Sequence, residues 1–427
     1  MRVSLQMCRA AGGARRSMAT LPRISRVAGE LPQSSIRKVM ELAWAAERAG
    51  QKVFHLEVGQ PDLPAPQIAI DAAKEALDDP VALRYISNAG ENPVREVVAA
   101  YVQRRTGFPT SAADIVMGSG VNGTMAIVLS AILDEGDEIL IPDPLWPNMD
   151  MATRLFCGRP VRYPTPAQRG WLADLEEVEQ LITPRTKAIY VCSPCNPTGR
   201  SMTQEQMDGF VELCMRKNIF LLSDEIYGEI LFDGREEVSC LKSKHAEAAQ
   251  EHLIWMGGVS KAFAMTGFRT GYVRAPRRLL PLFQTSQEAF LSCHVPFAQR
   301  GAAAILGSDQ AAGVIAEARR IYGRRRDLAV AAMADKGLPM PKHMIPEGAF
   351  YMLVPCGPTG EACQSEAMAA DILQRTGVAV APGAGFGKEG ENHLRLSFAT
   401  ADEDVQEGTG RLAEYLLDRG AREWWPS

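Results

Sequence analysis

Short apolar runs at Glu138–Ile141, Ala188–Cys192, Phe220–Ser223 and Leu253–Met256 are separated by amphipathic segments such as Thr203–Arg216 and Ala246–Glu251. Runs of this kind read as strands buried on both faces, and the segments between them as helices. Strands that alternate with helices specify one main architecture, an α/β fold built on a doubly wound, mostly parallel sheet. Beyond about Leu306 the pattern changes to a long basic helix reaching near Lys336, followed by strands at Phe350–Leu353, Val378–Ala381 and Leu394–Ser397. We therefore expect a large domain over residues 64–305 and a smaller α+β domain, residues 306–427, joined by an N-terminal arm over 21–63. With 427 residues, 46% of them hydrophobic, the chain can fill two cores.

Ahead of the sheet, Ser34 and Ser35 can cap a helix that runs through Ala49 and stops at Gly50. Ile36, Val39, Met40, Ala43 and Trp44 fall on one of its faces. A short strand, Val53–Leu56, leads into a turn-rich run from Gly59 to Pro64, and helical patterns follow at Gln67–Leu77 and Asn92–Arg105. Every charged residue before Glu30 is an arginine: Arg2, Arg9, Arg15, Arg16, Arg23 and Arg26. Residues 1–20 accordingly read as a disordered or targeting leader, unless Met18 is the true start. The expected location is cytoplasmic, or mitochondrial if the leader is a transit peptide. A net charge of -5 gives no pull toward nucleic acid, and no apolar run is long enough to span a membrane. Nine cysteines at irregular spacings argue for reduced thiols. Cys192 and Cys195 form a lone CxxC, which without a second pair is no metal site.

Several stretches carry chemistry. In Val259–Tyr272, Lys261 follows an apolar run and is itself followed by Gly267, Arg269, Gly271 and Tyr272. A lysine held rigidly in a desolvated pocket can act as a nucleophile. Gly118, Gly120 and Gly123 match GxGxxG ahead of a helical segment, Thr124–Leu133, with Asp143 at the end of the next strand. That is the dinucleotide fingerprint, although glycines before a helix suit any phosphate. Asn196 lies in a turn after a strand, where doubly wound sheets place ligand contacts. Asp224 ends a buried strand, which is costly unless it meets a cation, and Tyr227 follows three residues on. An amine nucleophile, a phosphate cradle, a buried carboxylate, a phenol and an amide together describe a pyridoxal phosphate site.

From about Ile24 to Leu417 the sequence resembles the class I/II, fold-type I pyridoxal-phosphate aminotransferases. Ser260-Lys261 followed by Gly267-Phe268-Arg269-Thr270-Gly271-Tyr272 is similar to the family's cofactor-lysine signature. The resemblance implies that Lys261 is the Schiff-base lysine and proton shuttle, and that Arg269, with Ser260, binds the phosphate. Asn196 and Tyr227 match the contacts to the cofactor's phenolate oxygen, and Asp224 matches the partner of its ring nitrogen. Trp146 matches the ring-stacking aromatic residue, and the backbone of Val121 and Asn122 the phosphate turn. Arg395 matches the clamp on the substrate α-carboxylate, and Gly59 the glycine lining the substrate pocket. Tyr85 resembles a tyrosine that reaches the neighbouring subunit's phosphate, which implies a homodimer with shared sites. The chain departs from the pattern at Gly258, where many relatives carry serine, and at Cys195, often asparagine. The implied reaction is ping-pong transfer of an α-amino group between an L-amino acid and a 2-oxo acid. A C–S lyase or other eliminating enzyme of the same fold would use the same lysine, and a nicotinamide dehydrogenase would rest on GxGxxG alone.

Overall fold

The computed structural model describes residues 24–32, 34–358 and 363–426, so the arginine-rich leader lies outside the described residues. Helix Ser35–Arg48 begins where Ser34 accepts the Arg37 N–H at 3.4 Å. It runs to the two-residue strand β1 (Phe54–His55). Seven strands then form the central sheet: β2 (Ile115–Ser119), β3 (Glu138–Asp143), β4 (Arg159–Pro164), β5 (Thr186–Cys192), β6 (Phe220–Asp224), β7 (Leu253–Gly258) and β8 (Thr270–Arg274). Their order is β2-β8-β7-β6-β5-β3-β4. β3 to β7 pair parallel, while β8 inserts antiparallel between β7 and β2. Every residue of β3 and β7 is buried, as expected of strands covered by helices on both faces. Among the described residues no helix is long and apolar enough to cross a membrane.

A three-stranded antiparallel sheet lies beyond, made of β9 (Tyr351–Pro355), β11 (Ala381–Pro382) and β12 (His393–Ser397), with β12 in the centre. The short β10 (Val378–Ala379) pairs in parallel with β1, so a segment from near the N-terminus is built into this C-terminal layer.

Two expectations change. Ala246–Glu251 forms turns rather than a helix; only isolated backbone bonds such as Ala249 to His245, 2.9 Å, are made. Separate turn bonds hold the segment instead, Ala246 N–H to the Ser243 carbonyl and His252 N–H to the Ala249 carbonyl among them. The strand expected at Val378–Ala381 is divided, with Val378–Ala379 paired to β1 and Ala381–Pro382 paired to β12. The long basic helix is present as Gln310–Asp335, with a separate helix, Pro296–Leu306, ahead of it. Elsewhere the local signals hold. Thr203 and Gln206 form a capping box at the start of Gln204–Lys217, and Asn218 ends that helix in the left-handed region.

Candidate active site

The carboxyl ends of β5, β6 and β7 converge on a cavity of about 560 Å³. Lys261, Asp224, Asn196, Tyr227, Arg269, Ser260, Trp146, Val121, Asn122, Gly59 and Arg395 all line it. They come from segments far apart in the chain: the parallel sheet gathers those at the ends of β5, β6 and β7 at one edge, while Arg395 arrives on β12 of the antiparallel sheet. Tyr85 does not join them: it is 86% exposed on the surface of its own chain.

Lys261 follows β7 and its Nζ donates to the Gly59 carbonyl at 2.9 Å. The faces of Tyr227 and Phe350 lie 5.6 and 5.7 Å from it. Burial, with Arg395 and Arg269 nearby, pulls its pKa down to about 8, against the pull of Asp224. A lysine at that value is neutral often enough to act as a nucleophile and base near neutral pH.

Asp224 ends β6 in register with Cys192 of β5. Its Oδ2 accepts the Tyr190 hydroxyl at 2.7 Å and its Oδ1 the Ile226 N–H at 3.1 Å. Burial pushes the carboxyl up to about 6, held back by these bonds and by Lys261. A carboxylate buried at this cost is suited to a cationic partner inside the cavity.

Arg395, on β12, is 1% exposed. Its guanidinium donates to Asn196 Oδ1 at 3.2 Å and to the Glu57 carbonyl, and its Nε has no partner. The rings of Tyr351 and Phe386 flank it at 4.7 and 5.1 Å. A buried guanidinium with an unmet N–H calls for an anion, and its planar fork suits a carboxylate.

The end of the cavity at the glycine turn is built by close backbone approach. Gly120 is left-handed at φ 67° and begins the helix Gly120–Ile132, whose first-turn N–H groups have no carbonyl partner within the helix. A Cβ on Gly120 would come within 2.5 Å of Arg269 Nη2. One on Gly271, in register with Gly118, would lie 2.5 Å from Gly120 C and 2.8 Å from Val121 N. Gly271→Ala should therefore displace this turn and cost about 1–3 kcal/mol of unfolding free energy, measured by chemical denaturation. The turn is not a dinucleotide site. β2 lies at the sheet edge with β8, β7, β6 and β5 between it and β3, so Asp143 is remote and accepts the N–H groups of Lys388 and Glu389 instead. Gly258 also has a steric reason: a Cβ there would meet the Thr270 carbonyl at 2.9 Å, where β7 and β8 pair antiparallel with Gly258 opposite Gly271.

Sequence reasoning missed Tyr190 and Tyr351. Tyr190 sits within an apolar strand, where its hydroxyl must find a partner. Tyr351 shares a 2.7 Å bond with Tyr227 and donates to the Gly59 carbonyl at 3.3 Å. It also explains Gly59, whose Cβ would collide with the Tyr351 hydroxyl. Burial pushes the Tyr351 phenol up to about 12. Ser34, Ile36, Arg37 and Met40, from the first helix, also face the cavity.

The family model for aminotransferase class I and II matches residues 51–412. The chain is 33% identical over 388 residues to an aspartate aminotransferase of Pyrococcus abyssi, covering 90% of this chain and 96% of that one. It is 32% identical to aromatic-amino-acid aminotransferase 2 of Thermococcus litoralis, over 90% and 96% of the two chains. The aspartate aminotransferase of Thermus thermophilus with maleate superposes with a TM-score of 0.85 at 31% identity, covering 92% of this chain and 100% of that one.

Proposed function

The chain belongs to the class I and II aminotransferases, and we propose that Lys261 is the residue on which its transamination turns. Enzymes of this family use pyridoxal phosphate and move an α-amino group from an amino acid to a 2-oxo acid. The donor leaves as its oxo acid before the acceptor enters. When bound, the cofactor supplies an electron sink for the substrate's α-carbon.

The observation that carries the assignment is Lys261 itself, lowered to about 8 and aimed into a cavity that also holds Asp224 and Arg395. The donor set fits the cofactor. Asp224 is a buried carboxylate in want of a cation, suited to a protonated ring nitrogen. The first-turn N–H groups at Val121 and Asn122, with Arg269 and Ser260, suit a phosphate, and Gly120 leaves the space a Cβ would fill. Asn196 and Tyr227 offer an amide and a phenol to a ring oxygen, and Trp146 a flat apolar face.

Arg395 binds the substrate α-carboxylate and turns the α-hydrogen toward Lys261. Freed Lys261, as a neutral amine, takes that proton and returns it in the reverse half-reaction. Tyr351 fixes the Tyr227 hydroxyl. The exposed Tyr85, with Val81 and Leu83 at 57% and 62% exposure beside it, supports a homodimer in which Tyr85 reaches the partner's site.

The test is the visible absorption of the purified chain with pyridoxal phosphate. Capture by Lys261 needs the free amine, so the rate of band formation should rise about tenfold per pH unit below 8 and level off above it. The band should then convert on titration with aspartate or an aromatic amino acid, the donors named in its relatives. No band at any pH sinks the assignment, and release of ammonia with the oxo acid in a single pass would make the protein an eliminating enzyme.

A further inference from the structure

The cavity's charges are unequal in number. Lys261, Arg269, Arg395 and Arg37 face it with cationic groups, and Asp224 is the carboxylate among the described side chains that line it. Under the reading above, Lys261 and Asp224 serve the cofactor, Arg269 its phosphate and Arg395 the α-carboxylate. Arg37 is left over.

Its position follows from the first helix. Ser35, Val39 and Ala43 are the buried residues of Ser35–Arg48, and the helix packs on Ser365–Thr376 and β11. Met40 follows Arg37 by three residues and Ile36 by four, so it shares a side of the helix with each, and all three face the cavity. Arg37 is exposed, and among the described residues no ion pair or side-chain hydrogen bond engages its guanidinium. Arg325 and Arg326 in the C-terminal unit are, by contrast, clamped by Asp62 and Asp233. A guanidinium at the mouth of an anion-binding cavity, with no acid of its own, is matched to a second carboxylate.

We infer that Arg37 receives the side-chain carboxylate of dicarboxylic substrates, amino acids and 2-oxo acids alike, while Arg395 holds the α-carboxylate. This rests on the cavity being the transamination site. Ile36 and Met40 offer an apolar contact beside it, so an aromatic donor does not depend on Arg37.

The experiment compares wild-type holoenzyme with R37Q and R37K. Steady-state rates are measured with aspartate and with phenylalanine, and affinities with two unreactive probes, succinate and 3-phenylpropionate. In R37Q the ratio of kcat/KM for aspartate to that for phenylalanine should fall about 10- to 100-fold, chiefly through KM. Succinate should weaken by a similar factor relative to 3-phenylpropionate, and R37K should recover part of both. An unchanged ratio overturns the inference, as does an equal loss with both donors, which is what a merely structural role would give. A wild-type enzyme that turns over phenylalanine but not aspartate also overturns it. Failure of the wild-type band to convert with any donor sinks the cavity assignment itself, and is seen before Arg37 is tested.

Discussion

Lys261→Ala should lower turnover by at least about 10⁴-fold, because one substitution removes both the covalent anchor and the proton carrier. The fold should survive it. The folded-state pKa of Lys261, about 8, lies below the ordinary 10.5, so the unfolded chain binds the extra proton between those values. The native lysine thus contributes destabilisation that is fully present below pH 8 and fades toward 10.5. An alanine at this position should leave the melting temperature at pH 7 unchanged or higher, with turnover gone. A variant that is inactive because it has unfolded would show the opposite, and a variant that still turns over would remove Lys261 from the mechanism.

Asp224→Asn is the second large effect, with kcat expected to fall on the order of 10²–10³-fold, since a neutral amide cannot hold a protonated ring nitrogen. The side chain can be accommodated. Its oxygen can accept from Ile226 N–H and its amide can donate to the Tyr190 hydroxyl. The stability signature separates this from a packing defect. In the unloaded protein the Asp224 pKa is raised from 3.8 to about 6, so the native state binds the extra proton and stability is lost as pH rises from about 4 through 6. Asparagine removes that loss, so the unloaded variant should melt higher than wild type at pH 8. The gain in melting temperature on adding pyridoxal phosphate should shrink, because the carboxylate's favourable partner no longer meets a charge. Equal shifts with and without cofactor would count against Asp224 as its partner.

The central strands were legible in the sequence because β3, β5, β6 and β7 are buried on both faces and so read as unbroken apolar runs. Strand order was not. The antiparallel insertion of β8 pairs Gly258 with Gly271, where an added Cβ would meet backbone atoms, a contact between distant segments that no local pattern marks. The same gap let GxGxxG suggest a dinucleotide site, since nothing local says that four strands lie between β2 and β3. Asn196, Asp224 and Lys261, at or just after the ends of β5, β6 and β7, could be picked out from the sequence as candidates. Tyr190 and Tyr351 could not, because their partners Asp224 and Tyr227 are set by the placement of separate strands. Nothing in the sequence singles out Arg37, because its place beside the cavity depends on where the first helix packs.

The parallel pairing of β1 with β10, and the arrival of Arg395 on β12, bear on how the protein comes into being during synthesis. The glycine turn, Asp224 and Lys261 all leave the ribosome well before Arg395 does. The central sheet can collapse as they emerge, yet β1 must wait for its mate from the far end of the chain. A nascent chain arrested before β10 should therefore carry a lysine and carboxylate at the edge of a sheet with no substrate clamp. It would be able to meet the cofactor but unable to hold an amino acid, so competence arrives only with the last segments made.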